Sequence, residues 1–160
     1  MNENLIGRCG LYCGFCEIYR AYKDSRELRE ELATKHNCSP EDVRCEGCQV
    51  IDLCGWSHET EWGKNCKFLR CLESKHLQFC YECSEYHRCT MFERFHEICS
   101  GLGIDLRQNL QMIQKGRIQE WLACQDKKWR CTECGNPVIV SYDVRNCHWC
   151  GKELRPRGEA

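Results

Sequence analysis

Ten of the eighteen cysteines in this chain of 160 residues form five CxxC pairs. The pairs are Cys13/Cys16, Cys45/Cys48, Cys80/Cys83, Cys131/Cys134 and Cys147/Cys150. Two cysteines at this spacing can donate both sulfurs to one metal ion, because a tight turn brings their side chains together. Roughly 11% of the chain is cysteine, and short chains of this kind are usually stabilised by disulfides or metals. What the sulfurs bind therefore decides the fold.

The cysteines are predicted to be reduced. The chain opens Met-Asn-Glu-Asn-Leu-Ile-Gly, with neither the basic segment nor the apolar run of a secretory signal. No stretch approaches the roughly 20 apolar residues that span a bilayer. Cytoplasmic proteins keep their thiols reduced, so the pairs are interpreted as metal ligands rather than disulfides. We therefore predict a cytoplasmic, metal-binding protein with no membrane association.

The last four cysteines have the spacing C-x2-C-x12-C-x2-C, which is typical of a zinc ribbon. Gly135 and Gly151 each follow a second cysteine, where the turn favours a positive φ, and residues 138–142 are rich in strand-forming residues. Two hairpins would hold four sulfurs about 2.3 Å from zinc and leave no open position for catalysis. The sequence predicts a structural zinc ribbon, with a rubredoxin-like iron centre as the alternative. Its ligands are Cys131, Cys134, Cys147 and Cys150.

Ten cysteines in the first ninety residues are also predicted to bind metal. They are Cys9, Cys13, Cys16, Cys45, Cys48, Cys66, Cys71, Cys80, Cys83 and Cys89. Zinc is favoured, because four thiolates from two short-spaced pairs are its usual structural site. Ten ligands fill two centres with two left over, and Cys38 and Cys54 would supply enough for a third. With the ribbon, we expect about three zinc ions, although spacing does not tell which cysteines share a centre.

The C-x3-C-x2-C opening at residues 9–16 leaves a second metal chemistry open. This spacing occurs in radical-SAM enzymes, but no alternating βα pattern follows it here. An iron–sulfur cluster of another type, or a thiol redox site, is therefore the alternative in the N-terminal region. His58, His76 and His87 could each replace a sulfur, but a surface position is favoured for all three.

The order of these cysteine blocks resembles a widespread prokaryotic family of uncharacterised cysteine-rich proteins. The shared pattern is C-G-x-x-C-x-x-C, then C-x-G-C, then C-x4-C, then C-x2-C-x5-C, and it covers residues 9–89. The helical extension to Trp121 and Leu122 and the C-terminal ribbon resemble longer members of that family. The resemblance implies a cytoplasmic protein that binds metal, with zinc favoured, and it supplies no activity. Cys38 and Cys54 lie outside the pattern.

Helices are predicted wherever apolar residues recur at helical spacing. One helical face covers residues 17–36 with an interruption near Asp24, a short helix begins at Ser39, and residues 66–76 form another. Three more helices follow in residues 91–124, the second of them capped by Asp105. Cys99 and Cys124 fall on these helices and are predicted to pack as small apolar residues.

The predicted fold class is a small metal-stabilised α+β protein. Short helices surround cysteine-rich metal sites, a helical segment follows, and a β zinc ribbon ends the chain. The predicted domains are a cysteine-rich metal-binding domain at 1–90, a helical segment at 91–128 and the ribbon at 129–155.

Two functional classes compete with the iron–sulfur alternative. The favoured one is a non-catalytic adaptor or regulatory protein with an unidentified protein partner, because closed sulfur sites offer no catalytic residue. The other is nucleic-acid binding through the ribbon, where residues 115–160 carry nine Lys or Arg against six Asp or Glu. Metal-bound thiolates would make the whole protein acidic, which disfavours that reading. The candidate contacts are Lys127, Lys128, Trp129, Arg130, Arg145, Trp149, Arg155 and Arg157.

Overall fold

The computed structural model describes residues 1–57 and 62–154, and its regular structure is helical. The α-helices are α1 (Glu17–Asp24), α2 (Arg26–Lys35), α3 (Lys67–Ser74), α4 (Thr90–Ser100), α5 (Leu106–Gln114) and α6 (Ile118–Lys128). Short 3-10 turns lie at Glu3–Leu5, Cys13–Phe15, Cys48–Leu53, Gly63–Asn65, Cys80–Glu82 and Tyr86–Arg88. Within the described ranges, no helix is long and apolar enough to cross a bilayer.

The predicted α+β class and its C-terminal β ribbon are wrong. Over residues 1–57 and 62–154 the chain forms no strand, and the C-terminal part has only the isolated bridges Arg130↔Pro137 and Asn146↔Glu153. The strand-forming residues pair elsewhere. Val138 donates its backbone N–H to the Trp129 carbonyl at 3.1 Å, and Val140 donates to the Phe15 carbonyl at 3.2 Å. The first bond belongs to the short antiparallel pairing at the Arg130↔Pro137 bridge, and the second attaches the segment to the N-terminal region instead of extending that pairing into a strand.

The N-terminal helical predictions are confirmed in one place and wrong in another. The helical face does break at Ser25, whose backbone is extended and whose hydroxyl accepts the Leu28 N–H, so that it caps α2. The helix predicted from Ser39 is absent. Ser39 donates its backbone N–H to the Asp42 carboxylate at 3.2 Å, which forms a turn instead.

The middle helices are confirmed. Asp105 caps α5, because its carboxylate accepts the Gln108 N–H at 2.9 Å. Cys99 is buried on α4, as predicted, but the prediction for Cys124 is wrong because it is exposed on α6.

Residues 5–16, the N-terminal cysteine loop, pack against α3–α6 and Trp129 in the main hydrophobic core. Trp121 is fully buried and meets the Tyr12 ring edge-on at 6.0 Å, and Phe15 meets Trp129 edge-on at 5.1 Å. These pairings bury large aromatic area with favourable geometry. A smaller core lies around α1 and α2, and a third contains Cys131, Val138 and Cys147.

A buried chain of hydrogen bonds ties four parts of the sequence together. Asn109 donates to the Gly10 carbonyl at 2.9 Å and accepts from Gln125 at 3.2 Å. Gln125 in turn accepts the Trp129 indole N–H at 2.8 Å. Asn109, Gln125 and Trp129 are all buried, with at most 8% of each residue exposed. Buried polar groups need such partners, so the chain fixes how the cysteine loop sits on α5 and α6.

Replacing Asn109 with alanine removes the donor to Gly10 and the acceptor for Gln125. We expect N109A to lower the free energy of unfolding by about 1–3 kcal/mol, because buried polar groups lose their partners. Urea denaturation of metal-loaded protein measures this. The control is Q108A, at an exposed side chain on the same helix, and equal stability of the two variants would contradict the role of the chain.

Candidate metal centres

Four C-terminal cysteines come together as one group. All sulfurs of Cys131, Cys134, Cys147 and Cys150 lie within 4.8 Å of one another. The Sγ atoms of Cys131 and Cys150 are 3.8 Å apart, and so are those of Cys134 and Cys147. A tetrahedral ion about 2.3 Å from each sulfur has edges of about 3.8 Å. The cysteine group therefore has the dimensions of a site for a single metal ion.

The two C-terminal CxxC turns are built alike, as the glycines predicted. Gly135 has a φ of 72° and Gly151 a φ of 73°, the left-handed region that glycine adopts without a steric cost. Gly135 donates its N–H to the Cys131 carbonyl at 2.9 Å, and Gly151 donates to the Cys147 carbonyl at 2.8 Å. The repeated turn aims both sulfurs of each pair at the same point.

Backbone donors favour the charged form of one ligand. The N–H groups of Cys134 and Glu133 lower the pKa of the Cys131 thiol to about 7. A thiolate is the form that binds metal, and the turn stabilises it before an ion arrives.

The C-terminal centre is attached to α1 by a buried contact between His148 and Asp24. His148 lies between Cys147 and Cys150, and its Nε2 is 3.0 Å from the Asp24 carboxylate. The same carboxylate lies 3.5 Å from the Arg20 guanidinium. The side chains of Asp24, Arg20 and His148 are only 8%, 10% and 12% exposed. Asp24 thus holds the second CxxC turn against the N-terminal helix.

In the N-terminal region, the structure brings the first two CxxC pairs together. The Sγ atoms of Cys13 and Cys48 are 3.6 Å apart. The hydrogen bond between them raises the pKa of the Cys13 thiol and lowers the pKa of Cys48. The Cys16 and Cys45 thiols are close enough to raise the pKa of Cys13 further. This grouping could not be deduced from spacing.

Cys54 joins this neighbourhood although it lies outside the family-like pattern. It is 1% exposed, and a hydrogen bond from Cys45 lowers the pKa of its thiol to about 7. Its only signal in the sequence is that it is a cysteine six residues after Cys48. Cys38 is half-buried and packs against the smaller core beside α2.

A third group of cysteines surrounds a cavity between α3 and α4. Cys71, Cys80, Cys83 and Cys89 line it. Burial raises the pKa of the Cys80 thiol to about 12, with the Cys89 and Cys71 thiols adding to the effect. Holding such a thiolate therefore requires positive charge, from a metal or from a neighbouring cation.

Cys9 and Cys66 are near both Cys48 and Cys80, since these thiols affect one another's pKa. Burial is the first cause that raises the pKa of the Cys9 thiol, and Cys80, Cys48 and Cys66 raise it further. Over residues 1–57 and 62–154, the C-terminal group alone has three or more candidate ligands that all lie within 4.8 Å. The ligand roles of the ten N-terminal cysteines therefore stay predictions.

The aromatic and basic residues considered for nucleic-acid binding are partly engaged elsewhere. Trp129 is buried against Phe15, and Arg130 forms a two-pronged contact with Asp126. Trp149 is 43% exposed. Of the sequence-based candidates, His58, Arg155 and Arg157 lie outside the described residues.

These features define a helical, cysteine-rich protein with a C-terminal cysteine cluster that could bind a metal ion. Residues 5–94 match the family described as protein of unknown function (DUF3795), and the chain belongs to that family. The match includes all four cysteine blocks of the family-like pattern, so the resemblance seen in the sequence is confirmed, and it ends before the C-terminal centre. No curated protein and no solved structure matches the chain.

Replacing Asp24 with asparagine keeps its shape and removes its charge. We expect D24N to lower the free energy of unfolding by about 1–3 kcal/mol, because the buried Arg20 and His148 lose a charged acceptor. Hydrogen exchange should increase at residues 147–150, which measures the loosened contact with α1. The control E31Q changes an exposed carboxylate on α2, and matching exchange in the two variants would argue against the contact.

Proposed function

We propose that the protein is a non-catalytic, metal-stabilised protein in which zinc fills the C-terminal four-cysteine centre. The single observation that carries this proposal is the pair of 3.8 Å sulfur–sulfur distances within one four-cysteine group. A structural zinc ion takes four thiolates at these separations, with all of its positions filled by protein. The ion then stabilises the fold and offers no position for a substrate.

A second zinc centre is proposed at the two N-terminal CxxC pairs. The 3.6 Å separation of Cys13 and Cys48 supports it, because it is close to the edge of a zinc–thiolate tetrahedron. Cys16 and Cys45 lie near this pair, since both thiols raise the pKa of Cys13, and they supply the other two ligands once the sulfurs close around the ion. Cys54 is the alternative to Cys45 as a ligand of this centre, because a hydrogen bond between the two thiols places both sulfurs at the same site.

The proposed biological role is that of an adaptor or regulator in a reducing compartment such as the cytoplasm. Exposed thiolate centres persist where thiols are kept reduced. An ion whose coordination is closed can shape a surface for a protein partner but cannot activate a substrate. Nucleic-acid binding is less well supported, because Trp129 is buried in the core and not on a stacking surface.

Metal analysis of anaerobically purified protein tests the C-terminal assignment. We expect C147S to bind one zinc ion fewer than the wild type, because three thiolates hold the ion more weakly than four. C124S is the matched control, since Cys124 is exposed on α6 and outside the group. Iron in place of zinc at this centre, removed by C147S, would overturn the zinc assignment.

Cobalt substitution tests whether the centre is closed. Co²⁺ in a tetrahedral thiolate site absorbs visible light, and the spectrum changes when a further ligand binds. We expect added cyanide at concentrations below those that extract the metal to leave the spectrum unchanged, because no coordination position is open. A new cyanide-dependent spectrum that is absent from cobalt-loaded C147S would point to an open, reactive centre.

A further inference from the structure

Four cysteines outside the C-terminal centre converge on one cavity. It has a volume of about 430 Å³, and its wall includes Cys71, Cys80, Cys83 and Cys89. Three elements carry them: Cys71 lies on α3, Cys80 begins the 3-10 turn Cys80–Glu82 with Cys83 directly after it, and Cys89 is the N-cap of α4. Their sequence spacing, C-x8-C-x2-C-x5-C, did not by itself indicate that they share a site.

No three of these four sulfurs lie within 4.8 Å of one another, and no hydrogen bond joins two of them as one joins Cys13 to Cys48. Zinc requires sulfurs about 3.8 Å apart. Elsewhere in the described chain, no group besides the C-terminal one has even three candidate ligands all within 4.8 Å. The thiolates of a polynuclear iron–sulfur cluster bind different iron atoms around a larger core, so they stand farther apart. The open space between these four cysteines fits the second arrangement.

The charges around the cavity also suit such a cluster. A 4Fe–4S cluster with four thiolate ligands is negatively charged, and hydrogen bonds to its sulfurs stabilise it. The Lys75 ammonium donates to the Cys83 sulfur at 3.3 Å, and Arg88 also lines the cavity. The carboxylate of Glu85 accepts a second bond from Lys75 at 2.6 Å, which holds the ammonium beside the sulfur.

The inner wall of the cavity is apolar. Phe68, Leu72 and Phe92 line it, and each is at most 3% exposed. An apolar wall limits the access of water and oxidants, which is a main control on the stability and potential of a bound cluster.

The 3-10 turn that carries Cys80 and Cys83 is held in place by hydrogen bonds of the protein itself. Glu82 accepts the backbone N–H groups of Gln78 and Phe79 at 2.7 and 3.1 Å. Cys80 donates its N–H to the Arg8 carbonyl at 3.0 Å. The two sulfurs are therefore positioned by the fold before any ligand binds.

We propose that Cys71, Cys80, Cys83 and Cys89 bind a 4Fe–4S cluster. This site is separate from the zinc centres proposed above and does not depend on them. Its ligands come from the segment shared with the family, whereas the C-terminal centre lies beyond that segment.

Iron and sulfide analysis of the full-length protein, reconstituted anaerobically with ferrous iron and sulfide, tests the proposal. We expect about four iron and four sulfide per chain and a broad visible absorption. C83S and C89S should each lose the iron, sulfide and absorption. C124S should keep all three, and C147S should lose zinc while keeping the iron, which separates failure of this proposal from failure of the zinc assignment.

A colourless protein after reconstitution, or zinc bound by these four cysteines in its place, would overturn the proposal. Unchanged iron in both C83S and C89S would do the same. Far-UV circular dichroism and the zinc content of the C-terminal centre establish that the variants are folded. K75M retains all four thiolates, and it should keep the cluster and shift its reduction midpoint to a more negative potential, because a positive charge beside Cys83 is removed. An unchanged midpoint would contradict the placement of the cluster beside Lys75.

Discussion

The cost of burying thiolates governs this structure. Cys9, Cys13 and Cys80 are each at most 8% exposed and belong to the same core as the large aromatic residues. A buried thiolate without compensation is expensive, and this cost is why burial raises the pKa of the Cys9 and Cys80 thiols. A metal ion offsets the cost and converts its binding free energy into folding free energy. The hydrophobic core and the candidate metal centres are therefore one energetic system.

Several helices begin at a cysteine, which links the local structure to this system. Cys16, Cys66 and Cys89 are the N-cap residues of α1, α3 and α4. The first backbone N–H groups of a helix point toward its N-cap, and the helix dipole places positive potential there, which favours a thiolate. At Cys16 the N–H groups of Tyr19 and Ile18 lower the pKa of the thiol against the larger effect of burial. Each of these helices thus begins at a cysteine, and its N-terminus stabilises the thiolate form of that cysteine.

The sequence predicted what depends on local chemistry. CxxC spacing followed by glycine identified the C-terminal centre, and Asp105 marked the start of α5. The sequence did not predict the features that depend on tertiary contacts. The segment that includes Val140 bonds to Phe15, more than a hundred residues away, and residues 129–154 form isolated bridges instead of the strands of a ribbon. The convergence of cysteines from α3 and α4 on one cavity depends on how those helices pack, which spacing does not encode.

The edge-on packing of Phe15 against Trp129 and of Tyr12 against Trp121 has a consequence for how the family segment is bounded. The two N-terminal rings lie inside residues 5–94, and the tryptophans that cover them lie outside. A fragment cut at residue 94 would turn these aromatic faces toward water and invite self-association. The segment that matches the family is therefore shorter than the segment that forms the hydrophobic core. An expression boundary placed at the end of the family match would cut through that core.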